Sequence, residues 1–263
     1  NSAATSALGF VAGHPHKDPI VKHFDRTFLI FVCSCVIWFF CHDGTVPFSD
    51  MNTDSGSAQI TNFQTSDGVT IEAEYRLSND IRAIAVLSHP HPLYGGEMNN
   101  NVVQGLFDSL PKDEIGTLRY NFRGVGNSEG THGDGKLEVL DSQAAFEFAS
   151  ELSDSVPVFS VGYSFGADVS LTADHSDLAG WIGIASPLAV LEPKGMNAGL
   201  DNRPTLLLVP ENDQFRSIAE ARSICEPWAA TSIEEIPGAD HFFLGFTHPV
   251  IDRAASFINE IVK

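Results

Sequence analysis

From residue 57 onward, short β-branched and apolar runs alternate with segments of helical period. Ser57–Thr65 and Val69–Leu77 flank the turn triplet Ser66-Asp67-Gly68 and predict a hairpin. Ile81–His89 reads IRAIAVLSH, a nearly continuous apolar run that suits a strand covered on both faces. A helix with Val102, Val103, Leu106, Phe107 and Leu110 on one face is expected next, then a strand at Ile115–Phe122. A helix at Lys136–Leu152 should turn Leu137, Leu140, Ala144 and Phe148 inward, ahead of a strand at Val156–Gly162. The pattern continues with a helix from Ser164, strands at Leu178–Ala185 and Thr205–Val209, and a helix near Ser217–Pro227. A strand at Thr231–Ile236 and a closing helix with Val250, Ala254, Phe257 and Ile261 on one face complete it. Such order predicts an α/β fold: a mostly parallel sheet with helices on both faces, entered by an antiparallel hairpin. In open sheets of this kind the site lies beyond the carboxyl ends of the strands, which directs the search to residues just after them.

The first fifty residues follow a different pattern. Thr27–Cys41 reads TFLIFVCSCVIWFFC, without a charge and preceded by Lys17, Lys22 and Arg26. It is short for a membrane span, and the following CHDGTVPFSD offers no small-x-small cleavage site, though the length and basic flank suit a signal-peptide apolar region. No methionine precedes Met51, where a short polar lead into the first strand begins. The expectation is that 51–263 is the complete native domain and 1–50 an N-terminal extension. A cytoplasmic location follows, the alternative being membrane anchoring or export through 27–41.

Charge narrows the partners. The 263 residues carry 15 Lys and Arg against 34 Asp and Glu, a formal charge of −19. Phosphate backbones and anionic membranes reward clustered bases, so no nucleic-acid partner is expected, and a membrane only if 27–41 is an anchor. Of the four cysteines, Cys33, Cys35 and Cys41 lie in the apolar run and Cys225 stands apart. No zinc-ligand spacing appears, so no metal is expected.

Two G-x-S-x-G strings occur, around Ser128 and Ser164. A nucleophile elbow needs a strand ending at the first glycine and a helix starting after the serine. Ser164, between VPVFSVG and FGADVSLTA, meets that requirement, whereas Ser128 is followed by GTHGDG and reads as a loop serine. A serine hydroxyl becomes a nucleophile when a histidine, oriented by an acid, takes its proton. In the order serine, acid, histidine, the candidates are Asp213 in Pro210-Glu-Asn-Asp213 and His241 in Gly238-Ala-Asp-His241. Glu211 is the rival acid. Asp240 is suited to capping its turn, and His248 to an exposed helix start. The oxyanion of acyl transfer needs donors: the N–H of Phe165 after the nucleophile, and one from His89-Pro-His91-Pro-Leu-Tyr94. Pro90 and Pro92 lack an N–H, leaving His91, Leu93 or Tyr94, with His91 nearest the strand end. The pair His89 and His91 has no carboxylate or cysteine companions for a metal, and His89 is expected to stiffen the loop.

Together SHPHPLYGG, RYNFRGVGNSEG, VGYSFGA and GADHFF resemble the α/β-hydrolase superfamily, among serine esterases and dienelactone-hydrolase-like enzymes, over about residues 57–263. The resemblance implies Ser164 as nucleophile, His241 as base, Asp213 as acid, and backbone donors at His91 and Phe165, with Arg123 anchoring its glycine-rich loop. It implies a carboxylesterase that works through an acyl-enzyme on Ser164 without a cofactor. Between Ala185 and Thr205 only a minimal cap fits, so short-chain acyl esters, small and neutral, are the expected substrates. The alternatives are an acyltransferase or a C–C or amide hydrolase with the same triad, and a non-catalytic binding protein of this fold. A protein comprising 51–263 is expected to fold cooperatively and keep its activity, which thermal melts and an esterase assay on both lengths would check.

Overall fold

Asp67 and Gly68 reverse the chain between its first two strands. Thr65 Oγ1 donates to Asp67 Oδ1 and accepts from Val69 N–H, while Gly68 takes φ 83°, a conformation that costs glycine little. The resulting hairpin pairs β1 (Gln59–Gln64) with β2 (Thr70–Arg76), in antiparallel register from Gln59 opposite Tyr75 to Gln64 opposite Thr70. The computed structural model describes residues 56–153 and 156–263. The apolar run at 27–41 and the expected boundary at 51 lie outside the described residues.

After the hairpin come β3 (Ala83–Ser88), α1 (Asn101–Ser109), β4 (Ile115–Tyr120), α2 (Glu138–Leu152), β5 (Val158–Tyr163) and α3 (Phe165–Thr172). Then follow β6 (Leu178–Ile184), α4 (Asn197–Leu200), β7 (Thr205–Asn212), α5 (Ile218–Cys225), β8 (Thr231–Asp240) and α6 (Thr247–Ile261). The strands form one sheet in the order β1-β2-β4-β3-β5-β6-β7-β8, with β2 antiparallel to β4 and the strands from β3 to β8 parallel. Every residue of β3, β4 and β5 is buried, as a strand between two helical layers requires. One core holds Phe146, Trp181 and Trp228 with α2, α3 and α5; the other holds Phe107, Val250 and Phe257 with α1 and α6. The chain leaves β3 toward β4 and returns on its other side to β5, so sheet order reverses at the C-terminal ends of β3 and β5, the position where open sheets of this kind bind ligands. Among the described residues no helix is long and apolar enough to cross a membrane.

Two expectations need correction. The strands β7 and β8 run further than their apolar runs, to Asn212 and Asp240, because backbone pairing continues to Asn212 opposite Asp240. The inward face of α2 is also phased differently: Leu137 precedes the helix and is exposed, Leu140 and Phe148 are partly buried, and Glu138, Asp141 and Ser142 are buried with Ala144. Those polar residues go inside because each finds a partner. Glu138 accepts from the N–H groups of Gly133 and Gly135, Asp141 receives Arg123, and Ser142 Oγ lies 2.7 Å from Tyr120 Oη. Phe148 is half-buried and stacks on Phe63, with ring centroids 5.6 Å apart.

Arg123 ties the hairpin to α2. Its guanidinium donates to both oxygens of Asp67 and to Asp141 Oδ1, and its backbone N–H donates to Asp141 Oδ2. The Arg123 and Thr65 hydrogen bonds hold the Asp67 carboxyl down at about 2. Burial pushes Asp141 up to about 6 against the pull of Arg123. The signs differ: a lowered carboxylate adds stability above its unfolded pKa that is lost as pH falls, whereas a raised one favours the folded state below its folded pKa. The Asp67 contribution should therefore disappear between about pH 4 and 2. Comparing urea midpoints of wild type and Asp67→Asn from pH 7 to 2, the gap is expected to be widest above pH 4 and to close toward pH 2.

Candidate active site

β5 ends at Tyr163 and α3 begins at Phe165, leaving one residue, Ser164, to make the turn. Its backbone sits at φ 55° and ψ −119°, a strained conformation for a residue with a side chain. The turn is tight enough that flanking glycines are obligatory: a Cβ at Gly162 would lie 2.3 Å from Ser170 Oγ, and one at Gly166 2.4 Å from the His89 carbonyl oxygen. Ser164 N–H donates to Ile184 O at 2.9 Å, which pins the turn to the neighbouring strand. Phe165 N–H stands in the first turn of α3, where backbone donors have no partner within the helix.

The paired ends of β7 and β8 bring the other two candidates to this serine. Asn212 opposite Asp240 places the next residues, Asp213 and His241, side by side. His241 Nδ1 lies 2.9 Å from Asp213 Oδ2, and His241 Nε2 lies 2.9 Å from Ser164 Oγ. Asp213 Oδ1 accepts from the N–H groups of Phe215 and Arg216, turning Oδ2 toward the imidazole. Glu211, the rival acid, instead accepts from Gly238 N–H at 2.7 Å. Asp240 caps its turn through Phe242 N–H, and His248 is exposed beside Asp252.

The loop after β3 closes the other side. His91 caps a short 3-10 turn, Pro92–Tyr94, with its Nδ1 accepting from Leu93 N–H, and its ring packs 4.7 Å from that of Phe165. His89 is wholly buried; its Nδ1 lies 2.7 Å from Pro90 O and its Nε2 accepts from Phe122 N–H. Burial pushes it down to about 4, so it is neutral at pH 7 and serves as a brace between the ends of β3 and β4. Ser128, from the second G-x-S-x-G string, donates to Asn121 O and accepts from Glu72 N–H, which fixes its loop to β2. Among the described residues no group of three or more His, Cys, Asp or Glu is placed to hold a metal ion.

A search of solved structures finds the same fold repeatedly. A serine hydrolase homologue from Coxiella burnetii is 26% identical, with a TM-score of 0.67 over 76% of this chain and 96% of that one. The chain belongs to the α/β-hydrolase superfamily. XC6422 from Xanthomonas campestris, described as a serine hydrolase without a lid, is 23% identical at a TM-score of 0.65, covering 78% of this chain and 93% of its own. Pyrococcus furiosus esterase Pf2001 reaches 0.67 at 15% identity, over 79% and 94% of the two chains, a likeness of fold. Among curated proteins, the uncharacterized protein RP471 of Rickettsia prowazekii is 30% identical over 184 residues, 66% of this chain and 77% of its own. No family model matches the chain.

Several residues that hold this site carry no local signal in the sequence. Tyr163 Oη donates to His241 O at 2.7 Å, and His241 N–H donates to Gln214 Oε1. His132, in a segment that reads only as a glycine-rich loop, packs against the rings of His91 and Phe165 at 5.2 and 5.5 Å. Its Nδ1 lies 2.8 Å from the buried Glu138 carboxylate, out of line for a hydrogen bond. Asp168 is fully buried in α3, where its carboxylate accepts from Ser186 Oγ and from the N–H groups of Leu188, Ala189 and Val190. Burial raises its pKa against the pull of those four donors. It fastens the segment after β6 to α3. Asp168→Ala should strip an acceptor from three backbone amides and lower stability by about 3 kcal/mol, measured by urea unfolding.

Proposed function

We propose that the chain is a carboxylesterase that cleaves short-chain acyl esters through an acyl-enzyme on Ser164. The observation that carries this reading is the continuous hydrogen-bond chain from Ser164 Oγ through the His241 ring to Asp213, starting at a strained strand-to-helix turn. The relationship to a serine hydrolase homologue at 26% identity supports hydrolase activity.

In this reading Asp213 accepts the Nδ1 proton of His241 and leaves Nε2 as the base facing Ser164. Ser164 Oγ attacks the ester carbonyl carbon as its proton passes to Nε2. The carbonyl oxygen becomes an oxyanion at the N-terminus of α3, where the N–H groups of Phe165 and His91 receive it, each worth about 10² to 10³ in rate. The tetrahedral intermediate collapses, and His241 returns its proton to the departing alcohol oxygen. Water, deprotonated by the same nitrogen, then attacks the acyl-enzyme and releases the acid. Each proton taken by His241 is given back, so these side chains and water suffice.

Substrate size is read from the segment between β6 and β7, where a 3-10 turn at Pro193–Gly195 and the four-residue α4 are the regular structure, and α4 is held at the far end of α3 from Ser164, with Asn197 Nδ2 donating to Thr172 O. A segment whose helix is held away from Ser164 leaves at most a minimal cap and little apolar wall for a long acyl chain, which favours acetyl to hexanoyl esters without charge. Purified protein given p-nitrophenyl esters from C2 to C16 is expected to turn over C2 to C6 fastest. Ser164→Ala and His241→Ala should lower kcat by roughly 10⁴- to 10⁶-fold and Asp213→Asn by about 10⁴-fold. Full activity in Ser164→Ala, or faster turnover of long chains than of butyrate, would overturn the assignment.

A further inference from the structure

In the esterase reading the oxyanion is received by two N–H groups from different parts of the chain, His91 after β3 and Phe165 after β5. Both must point at one oxygen, so their relative position matters more than either alone. Their side chains are in contact, with the ring of His91 4.7 Å from that of Phe165. Two rings in contact can still slide along their shared face.

A third ring opposes that slide. His132, from the loop between β4 and α2, packs 5.2 Å from His91 and 5.5 Å from Phe165, which closes a triangle. Tyr94 also touches His91 but is 54% exposed, and Phe122 supports Phe165 edge-on at 5.6 Å. Of these three, His132 alone is in ring contact with both donor residues.

His132 is itself fixed from α2. Its side chain is 12% exposed, and its Nδ1 lies 2.8 Å from Oε1 of Glu138, whose carboxylate is fully buried. At that separation a lone pair on Nδ1 would face a negative oxygen, so Nδ1 carries the proton and is attracted even without an aligned hydrogen bond. The same carboxylate accepts from the N–H groups of Gly133 and Gly135, so one buried side chain holds both the loop and the ring that the loop carries. On the other edge Nε2 lies 3.4 Å from Asp134, whose side chain is 95% exposed, a contact that fixes little.

We infer that His132 is a positioning residue of the oxyanion site, whose ring, held by Glu138, keeps the N–H groups of His91 and Phe165 aimed at one point. The inference rests on the esterase reading and adds a residue to its machinery. Misplacing such donors by about 1 Å costs up to about 10² in rate, and because the oxyanion exists in the transition state and not in the bound ester, the loss falls on kcat.

The test compares turnover of p-nitrophenyl butyrate, and inhibition by an alkyl trifluoromethyl ketone, in wild type, His132→Ala, His132→Phe and His132→Gln. Ser164 Oγ adds to the ketone carbon as its proton passes to His241, leaving an oxyanion on the same N–H groups, so the inhibition constant reads the oxyanion site directly. His132→Ala is expected to lower kcat about 10- to 100-fold with KM within about twofold, and to weaken the ketone by a similar factor. His132→Phe keeps the ring without its nitrogens and should recover most of the lost kcat, whereas His132→Gln keeps an N–H for Glu138 without the ring and should not. Urea midpoints show which variants are folded. A folded His132→Ala with the kcat and inhibition constant of wild type, a loss carried by KM alone, or recovery in His132→Gln rather than His132→Phe overturns the positioning role and leaves the esterase reading standing. A wild type that neither turns over esters nor reacts at Ser164 with a fluorophosphonate overturns both.

Discussion

The site depends on forcing a residue with a side chain into a backbone conformation that such residues avoid. At φ 55° Ser164 carries strain of order 1 to 3 kcal/mol, and it persists because the surroundings allow no alternative. Strands β3 and β6 grip β5 on both edges, Ile184 O holds the Ser164 N–H, and Gly162 and Gly166 let β3 and α3 come closer than any Cβ would permit. The turn sets the Ser164 side chain at the N-terminus of α3, where the helix dipole favours negative charge.

The rest of the carboxyl end of the sheet keeps this arrangement still. Backbone pairing of β7 with β8 as far as Asn212 and Asp240 brings an acid and a histidine from separate loops within 2.9 Å of each other. Around them, buried polar groups are paired with named partners: His89 with the ends of β3 and β4, Arg123 between Asp67 and Asp141, and Asp168 under the segment after β6. In a medium of low polarity each such group is costly without its partners and rigid with them. These networks locate loops that apolar packing alone would leave free to slide.

Polarity changes abruptly above that framework. The chain carries a formal charge of −19, yet within three residues after His91 and His241 the exposed side chains include Leu93, Tyr94, Phe242 and Leu244.

The sequence by itself determined the α/β order, the hairpin, the elbow at Ser164 and the candidates Asp213 and His241, because those features are written locally. Strands between two helical layers must be continuously apolar, the turn at Ser164 needs glycines two residues to either side, and loops after strands carry the reactive residues. Tertiary structure alone decided which acid faces the histidine, since Asp213 and Glu211 sit two residues apart on one segment and are separated by the register of β7 on β8. It also decided the face of α2, where Glu138 and Asp141 are buried because Gly133, Gly135 and Arg123 meet them there, partners that a count of apolar positions does not see. Asp168 and His132 belong to the same class. Their meaning lies in contacts with residues remote along the chain, and a helix interior or a glycine-rich loop gives no sign of them.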